Sequence, residues 1–361
     1  MKRSGSKERA LRDKLSRLVA DGAPGARLPR VRDLMAEFQT SQRVVQRALA
    51  PLVEAGRVQA RPGAGLVIAA PAGPGPSYEA DCLILYRASE SRLARTLLIE
   101  LVARLKKKGY RAVLQGFGDE ATVLDFIETR GRFRCCLLQA NFEIISVGLL
   151  AGIKAVADAL VIDGVSVTGI DADVIGTNWR EALSVGYRKL VAQGHDRIGF
   201  LTSSHDARQI AMARREFLLL SGWEGPAPHP RLHTVPRLPG SYRKEELRDA
   251  LPVPGADPEA TTALIVWGLV DGYLLDAALH ERGLRPGIDV SLLLLGSVDV
   301  ASEHVSRFDV VGNADAEKLD LFERVVTARI EGDTSPAKTH YLPIYLREEG
   351  SIQLLEATSP R

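Results

Sequence analysis

Residues 24–65 read PGARLPRVRDLMAEFQTSQRVVQRALAPLVEAGRVQARPGAG, and their punctuation decides the fold of the N-terminal part. Pro29 suits the opening of a helix, where its missing N–H costs nothing in the first turn, and that helix is expected to run to about Phe38. A second helix starts with Ser41 as its cap and carries Val44, Val45, Ala48, Leu49 and Leu52 on one face up to Ala55, with Gly56 as its stop. Pro51 inside it removes one backbone hydrogen bond and is expected to kink or widen the helix. Strand-like residues 57–60 and 66–69 then flank Arg61-Pro62-Gly63-Ala64-Gly65. Upstream, residues 8–20 place Leu11, Leu15, Leu18 and Val19 at helical spacing, halted by Asp21-Gly22. Three helices followed by a β-hairpin make a winged helix-turn-helix.

The charge is divided. Residues 1–70 hold 14 Lys or Arg against 6 Asp or Glu, net +8, while the rest hold 33 against 39, net −6. A basic head on an acidic body is the footprint of a nucleic-acid-binding module joined to a part that does not bind nucleic acid. With 361 residues, 45% hydrophobic and 25% charged, the chain has room for one small domain and a larger bilobal one. Apolar runs such as 263–266 and 291–295 fall far short of the roughly 18 to 20 residues of a membrane span. The start, MKRSGSKERALRDK, lacks the apolar core of a secretory signal, so a cytoplasmic location is expected. Cys82, Cys135 and Cys136 lie in apolar strand-like runs and are expected to be small core residues, with no disulfide framework, metal site or cofactor implied.

The run APAGPGPS at 70–77 reads as a stiffened linker, which divides the chain into residues 1–69, a linker at 70–79 and a body at 80–361. Within the body, strands at 82–86, 111–115 and 135–139 alternate with helices at 93–108 and 121–129. The pattern resumes at 154–161, 181–193, 197–201, 211–221, 262–266, 272–282 and 290–295. Such alternation implies parallel sheets covered on both faces by helices, with ligands at the carboxyl ends of strands. There are about twice as many units as one sheet needs, so two lobes with a cleft between them are expected.

In a helix-turn-helix the second helix of the pair presents its N-terminal side chains to the major groove while its surroundings hold the backbone. Here that helix begins Ser41-Gln42-Arg43-Val44-Val45-Gln46-Arg47. Gln pairs bidentately with adenine and Arg with guanine, so Gln42, Arg43, Gln46 and Arg47 carry suitable chemistry. Ser41, Arg30 and Arg32 are placed for phosphate, and Arg61 with Gly63 forms the tip of the wing. Singly each Arg could be a solvated charge; gathered on one basic domain they point to DNA.

The ordered set Pro24-Gly25-Ala26-Arg27-Leu28-Pro29, Arg32-Asp33-Leu34, Ser41 through Leu49, Leu52, Gly56, Val58 and Arg61 to Gly65 closely resembles the GntR-type winged helix. The resemblance departs at Gln42 and Gln46, where that family commonly has Arg, and at Ala64, where it commonly has Arg in the wing. Arg43 and Arg47 sit one position along, about 100° around the helix, so no operator sequence carries over. Residues 80–353 resemble the LacI-type sensor, which shares its fold with periplasmic sugar-binding proteins. The supporting stretches are 175–179, Leu190-Val191-Ala192-Gln193-Gly194-His195-Asp196-Arg197-Ile198, 277–284 with Asp289-Val290-Ser291, and Leu342-Pro343-Ile344-Tyr345-Leu346-Arg347. The fusion resembles the arabinose-repressor group of regulators, and the resemblance implies a type I periplasmic-binding-protein-like α/β body of two parallel-sheet lobes whose effector closes the cleft of a dimer.

At the implied effector positions the chain departs again. Ala213 replaces the usual Arg four residues before Phe217, with Arg214 beside it; Gly268-Leu269 stands where Asn-Asp is usual; Val298 stands at the acidic position, followed by Asp299. The remaining candidates at cleft-facing strand ends are Ser91, Arg92, Gln139, Asp163, Ser203 with Ser204 and His205, Arg214, Trp267 and Asp299. Trp267 suits the face of a sugar ring or a packed core equally, Asp163 a ligand or a turn, and His205 a ligand or a solvated loop. No nucleophile elbow, His-Glu-x-x-His run or phosphate-binding Gly-x-x-x-x-Gly-Lys loop is present. The expected function is that of a homodimeric, ligand-responsive DNA-binding regulator, a repressor acting at a near-palindromic operator; its effector is either a sugar or sugar derivative held by other residues than usual, or a molecule less polar than a monosaccharide. The rivals are a regulator whose body serves only dimerisation, a solute-binding protein, and an enzyme on the same scaffold.

Overall fold

The computed structural model describes residues 2–23, 25–54, 56–61, 65–69, 77–88, 92–140, 144–164, 167, 169–205, 207–226, 228–236, 242–252, 260–268, 272–299 and 307–355. Contacts divide the chain into Met1–Ser77 and Tyr78–Arg361.

In the first unit, α1 (Lys2–Asp21), α2 (Val31–Phe38) and α3 (Gln42–Glu54) precede an antiparallel pair, β1 (Val58–Arg61) and β2 (Gly65–Ile68). Leu11, Leu15 and Val19 of α1 meet Leu34 of α2, Val45, Ala48, Leu49 and Leu52 of α3 and Val58 and Ile68 of the strands in one core. The first helix begins six residues before the expected Glu8, in a polar stretch with no apolar spacing to betray it. Helix α3 runs through Pro51 as far as Glu54. Ser41 caps it through its carbonyl, which accepts from the Val44 and Val45 amides, and Gly56 closes it at φ +66°.

Among its described residues the second unit holds two six-stranded sheets. The first, in the order β13-β7-β6-β5-β3-β4, comprises β3 (Tyr78–Arg87), β4 (Ala112–Phe117), β5 (Arg132–Gln139), β6 (Ala157–Asp163), β7 (Asp173–Gly176) and β13 (Thr339–Tyr341). Helices α5 (Glu120–Glu128) and α6 (Val147–Val156) cover one face; α4 (Arg92–Lys107) and α11 (Asp315–Ile330) cover the other. The second sheet, β14-β12-β11-β10-β8-β9, comprises β8 (Ile198–Ser203), β9 (Leu232–Val235), β10 (Ala263–Trp267), β11 (Ser291–Leu295), β12 (Asp309–Gly312) and β14 (Tyr345–Arg347). It packs between α7 (Trp179–Ala192) with α8 (Arg208–Leu220) and α9 (Lys244–Ala250) with α10 (Gly272–Glu281). All described strand pairs are parallel except β12 with β14 in this unit. β3 opens at Tyr78, inside the stretch expected to be linker, and the segment expected as one element at 154–161 is the end of α6 running straight into β6.

Numbered in order of appearance, both sheets follow the order 2-1-3-4-5-6. The fifth strands, Asp173-Val174-Ile175-Gly176 and Asp309-Val310-Val311-Gly312, match nearly residue for residue. Each Asp is buried and anchors a later segment. Asp173 takes Arg329 Nε at 2.6 Å and the Lys338 amide at 2.9 Å; Asp309 Oδ1 accepts the Glu349, Gly350 and Ser351 amides at 2.7, 2.8 and 3.1 Å. The chain crosses between lobes after β7, after β12 and between β13 and β14. At the crossings Thr177 Oγ1 donates to Asn313 Oδ1 at 2.7 Å, and the Leu342 amide donates to the Gly176 carbonyl at 3.0 Å.

The Gly194-His195-Asp196-Arg197 turn shows why it is so built. The His195 ring is buried between Thr262 Oγ1, 3.0 Å from Nδ1, and the Gln353 carbonyl, 3.2 Å from Nε2. Since a carbonyl only accepts, Nε2 carries the proton. Burial lowers the pKa of His195, and of His229 and His233 elsewhere in the same lobe. A histidine held neutral by the fold takes up its proton more readily once unfolded. Its stabilising contribution is therefore complete above the unfolded value of about 6.5 and is lost as pH falls below it. The expected result is a melting temperature that drops between about pH 7 and about pH 5, with a smaller drop in His195→Gln.

Candidate functional site

Two places gather polar side chains on a fixed backbone. The first is the outer face of α3. Val44, Val45, Ala48, Leu49 and Leu52 are buried, whereas Gln42, Arg43, Gln46 and Arg47 are exposed. At about 100° per residue, Arg43 stands nearly opposite the middle of the buried stripe, flanked by Gln46 and Arg47. Gln42, Arg43 and Gln46 have no side-chain partner among the described residues. Arg47 differs: its Nη2 lies 3.0 Å from Glu8 Oε2 on α1. The Ser41 hydroxyl is exposed and has no partner among the described residues, so its cap is made by the main chain alone.

Arg30 is the residue before α2, in extended backbone at φ −65° and ψ 149°, and its carbonyl receives the Asp33 and Leu34 amides. Its side chain and that of Arg32 are exposed beside the start of a helix, where unpaired N–H groups favour an anion. Arg32 Nε also lies 3.5 Å from Asp33 Oδ1, a surface contact of little strength. Arg61 ends β1 and is described by its backbone alone; Gly63 lies outside the described residues.

The second place is set by topology. In a doubly wound sheet the crevice forms where neighbouring strands send their connections to opposite faces, outside the carboxyl ends. In these two sheets that point falls between β3 and β5 and between β8 and β10. Gln139 ends β5, Ser203 ends β8 and Trp267 ends β10, so these three expected residues occupy the switch points, with Asp163 ending the next strand. Ser91 lies outside the described residues, and Arg92, which opens α4, is described by its backbone alone.

The residues gather into separate groups. Gln139, 2% exposed, donates from Nε2 to Asp163 Oδ2 at 2.7 Å, and Lys318 Nζ of α11 approaches Asp163 Oδ1 to 2.8 Å. A carboxylate can only accept, so the Gln139 amide nitrogen must face it; the Oε1 end is left buried without a partner among the described residues. Burial works against the Lys318 ammonium, yet Asp163 and Asp315 hold its pKa above the ordinary value. Burial raises the pKa of Asp315, against the pull of Lys318. In the other lobe the His205 amide donates to Ser203 Oγ, Arg214 Nη1 donates to the Ser203 carbonyl at 2.9 Å, and His205 Nδ1 accepts the Ala207 amide. Trp267, 3% exposed, lies in the lobe core with its ring centroid 5.3 Å from that of Trp179.

Asp299 is exposed, but its carboxylate is spoken for. Oδ1 accepts the Ser297 hydroxyl and the Asp315 amide, both at 2.7 Å, and Oδ2 accepts the Ala316 amide at 2.9 Å. It thereby caps α11 from another loop. Burial opposes the charge, but these hydrogen bonds hold its pKa below the ordinary value. Lys318, Asp315, Asn313 and Trp179 were not anticipated. Asn313 and Asp315 beside a run of mixed apolar and charged residues carry a helix-start signal; Lys318 carries none that would pair it with Asp163.

Residues 7–68 match the family model of bacterial regulatory proteins of the gntR family. Among solved structures, the transcriptional regulator CelR in complex with cellobiose is similar at TM-score 0.59 and 15% identity, covering 86% of this chain and 90% of that one. A LacI family regulator from Enterococcus faecium with bound ribose is similar at TM-score 0.60 and 14% identity, over 76% of this chain and all of that one, whose coverage is 100%. The dimeric Lac repressor with an 11-residue C-terminal deletion is similar at 0.58 and 14%, over 76% and 99%. No curated protein matches the sequence. At these identities the structural likeness is one of fold. The chain joins a gntR-type N-terminal domain to a bilobal body with the LacI-type, periplasmic-binding-protein-like fold.

Proposed function

We propose that this chain, a gntR-type reader joined to a LacI-type body, is a transcription regulator that binds operator DNA as a homodimer and responds to a small molecule in the cleft of the body. The observation that carries the reading is that Arg43 and Gln46 point outward on α3, without partners among the described residues, in a domain matching the gntR family. One such head buries too little DNA for a specific site, so two heads related by a twofold axis would read a near-palindrome. Arg30, Arg32, Ser41 and the wing residues Arg61 and Gly63 would hold phosphate while Gln42, Arg43 and Gln46 read bases. A reader of this size represses most simply by obstructing polymerase, and the work belongs in the cytoplasm. Among the described residues no helix is long and apolar enough to cross a membrane.

For the effector we propose a neutral polyhydroxylated molecule, a sugar or sugar derivative. The similar structures hold cellobiose and ribose, and here Gln139 offers a buried acceptor in need of a donor. Ser91, Arg92, Asp163, Ser203, His205, Arg214, Trp267 and Asp299 are the other proposed contacts. A second reading, a body that serves dimerisation only, draws on the internal engagement of Asp163 and both Asp299 oxygens. Catalysis is not part of either reading.

The two separate in a thermal-shift screen of the full chain against sugars, sugar acids, polyols and nucleosides. A ligand of the folded state must raise the melting temperature. A shift that is lost in Gln139→Ala, and that comes with altered DNA affinity, supports the first reading. No shift from any compound, in protein that still binds DNA as a dimer, supports the second.

A further inference from the structure

We propose that Glu8 is an intramolecular rival for phosphate that withholds Arg47 from DNA and thereby sets the affinity of the head for duplexes of any sequence. The inference rests on α3 being the DNA-facing helix. Glu8 stands on α1 three residues before Leu11 and seven before Leu15, both fully buried, so it sits at the rim where α1 packs on α3. Its carboxylate takes Arg47 Nη2 at 3.0 Å on Oε2 and Arg12 Nη2 at 3.4 Å on Oε1. The Glu8 side chain is 21% exposed, while the Arg47 side chain is 56% exposed. The acid is thus the fixed partner, and the arginine the one that solvent or DNA can reach.

On the face of α3 this makes the two arginines unequal. Arg43 has no partner among the described residues, so it has only its hydration to lose on binding. Arg47 must first leave Glu8, and a phosphate gained there exchanges one anion for another without adding net charge neutralisation. A half-exposed ion pair is weak enough to be exchanged, which makes it a graded restraint and not a lock. Because phosphate contacts dominate binding to any sequence while base contacts discriminate, such a restraint lowers the nonspecific background and leaves base reading by Arg43 and Gln46 untouched.

The test is Glu8→Gln in the full chain, titrated against a fluorescein-labelled duplex of random sequence over a range of salt, beside Arg47→Gln and the double variant. Glu8→Gln is expected to bind about threefold tighter or more, with a salt dependence steeper by about one ion per head. Arg47→Gln alone is expected to stay within about twofold of the parent, because its arginine is already committed. In the Arg47→Gln background the Glu8→Gln gain should vanish. An equal gain in both backgrounds would reveal only the general field of a removed negative charge and would overturn the proposal. So would unchanged or weaker binding by folded Glu8→Gln. If Glu8→Gln fails to fold, Arg47→Gln still decides, since a large loss on its own contradicts a withheld Arg47. Arg43→Gln separates this from the reading it rests on: if that variant also binds a selected operator as the parent does, α3 is not the DNA-facing helix at all.

Discussion

Arg43→Ala is expected to weaken binding to a selected operator by roughly 5- to 150-fold per half-site, the range for loss of one bidentate base contact of about 1 to 3 kcal/mol. Its affinity for random duplex should fall far less. The reasons are geometric. Arg43 stands opposite the buried stripe of α3, is exposed, and has no partner among the described residues, so in the proposed complex it would enter a groove with its fork of donors uncommitted. Arg43→Lys should recover the charge and the nonspecific affinity but not the discrimination, because a single ammonium cannot reproduce a bidentate pair. Arg30→Ala or Arg32→Ala should do the reverse, weakening all sequences alike and flattening the salt dependence. Competition titrations of labelled operator against random duplex read both quantities. Operator binding unchanged in Arg43→Ala would remove the base-reading role assigned to this residue.

The second large effect is one of stability. Gly176 and Gly312 end the matching strands β7 and β12, the hinge strands after which the chain crosses between lobes, and each glycine lies against the chain that follows the neighbouring strand. A Cβ at Gly176 would fall 1.8 Å from the Gly164 carbonyl oxygen, and one at Gly312 would fall 1.8 Å from that of Gly296. Both obstacles are backbone, held by the Gly164 and Gly296 amides bonding to Ile175 and Val311 at 2.8 and 3.0 Å, so neither can swing aside as a side chain would. Gly176→Ala and Gly312→Ala are each expected to cost about 3 kcal/mol or more, at the upper end for overpacking. Gly169→Ala is the control. That glycine has φ +86°, but no atom of the described residues lies within 4 Å of where a Cβ would sit, so only the backbone penalty of about 1 to 2 kcal/mol applies. Urea melts of the three variants give the ranking, and a Gly176→Ala protein as stable as the parent would mean the hinge is not packed as described.

Much of the fold was legible because its larger elements have long, well-punctuated patterns. Leu11, Leu15 and Val19, or Val44, Val45, Ala48 and Leu49, announce helices by spacing, and the strands β3, β5 and β8, six to ten residues long, each carry a shorter apolar run. The hinge strands are four residues each, too short to show a period, and β13 and β14 are three residues long and largely exposed. Helix α6 passes into β6 with no Gly or Pro between them, so Val156 and Ala157 offer no boundary. Helix α11 is a different matter: Leu319, Phe322, Val326 and Ile330 have the spacing of an amphipathic helix, and nothing physical hid it.

The polar site was legible only in part. Strand ends locate Gln139, Asp163, Ser203 and Trp267, because a strand boundary in a parallel sheet is also a place in the crevice. Partners cannot be located that way. Lys318 lies 155 residues from Asp163, and Asp299 caps α11 through amides 16 and 17 residues further on. Both pairings exist only because the chain crosses between lobes at Thr177 and Asn313.

The most direct test of the account is selection of duplexes from a random pool by the full chain, followed by titration of the enriched sequence. The expected result is an inverted repeat of two half-sites, bound at least about 1,000-fold more tightly than random duplex at physiological salt, with discrimination lost in Arg43→Ala. A pool that stays random through repeated rounds, with binding no tighter than the general attraction of a basic domain for DNA, would contradict it.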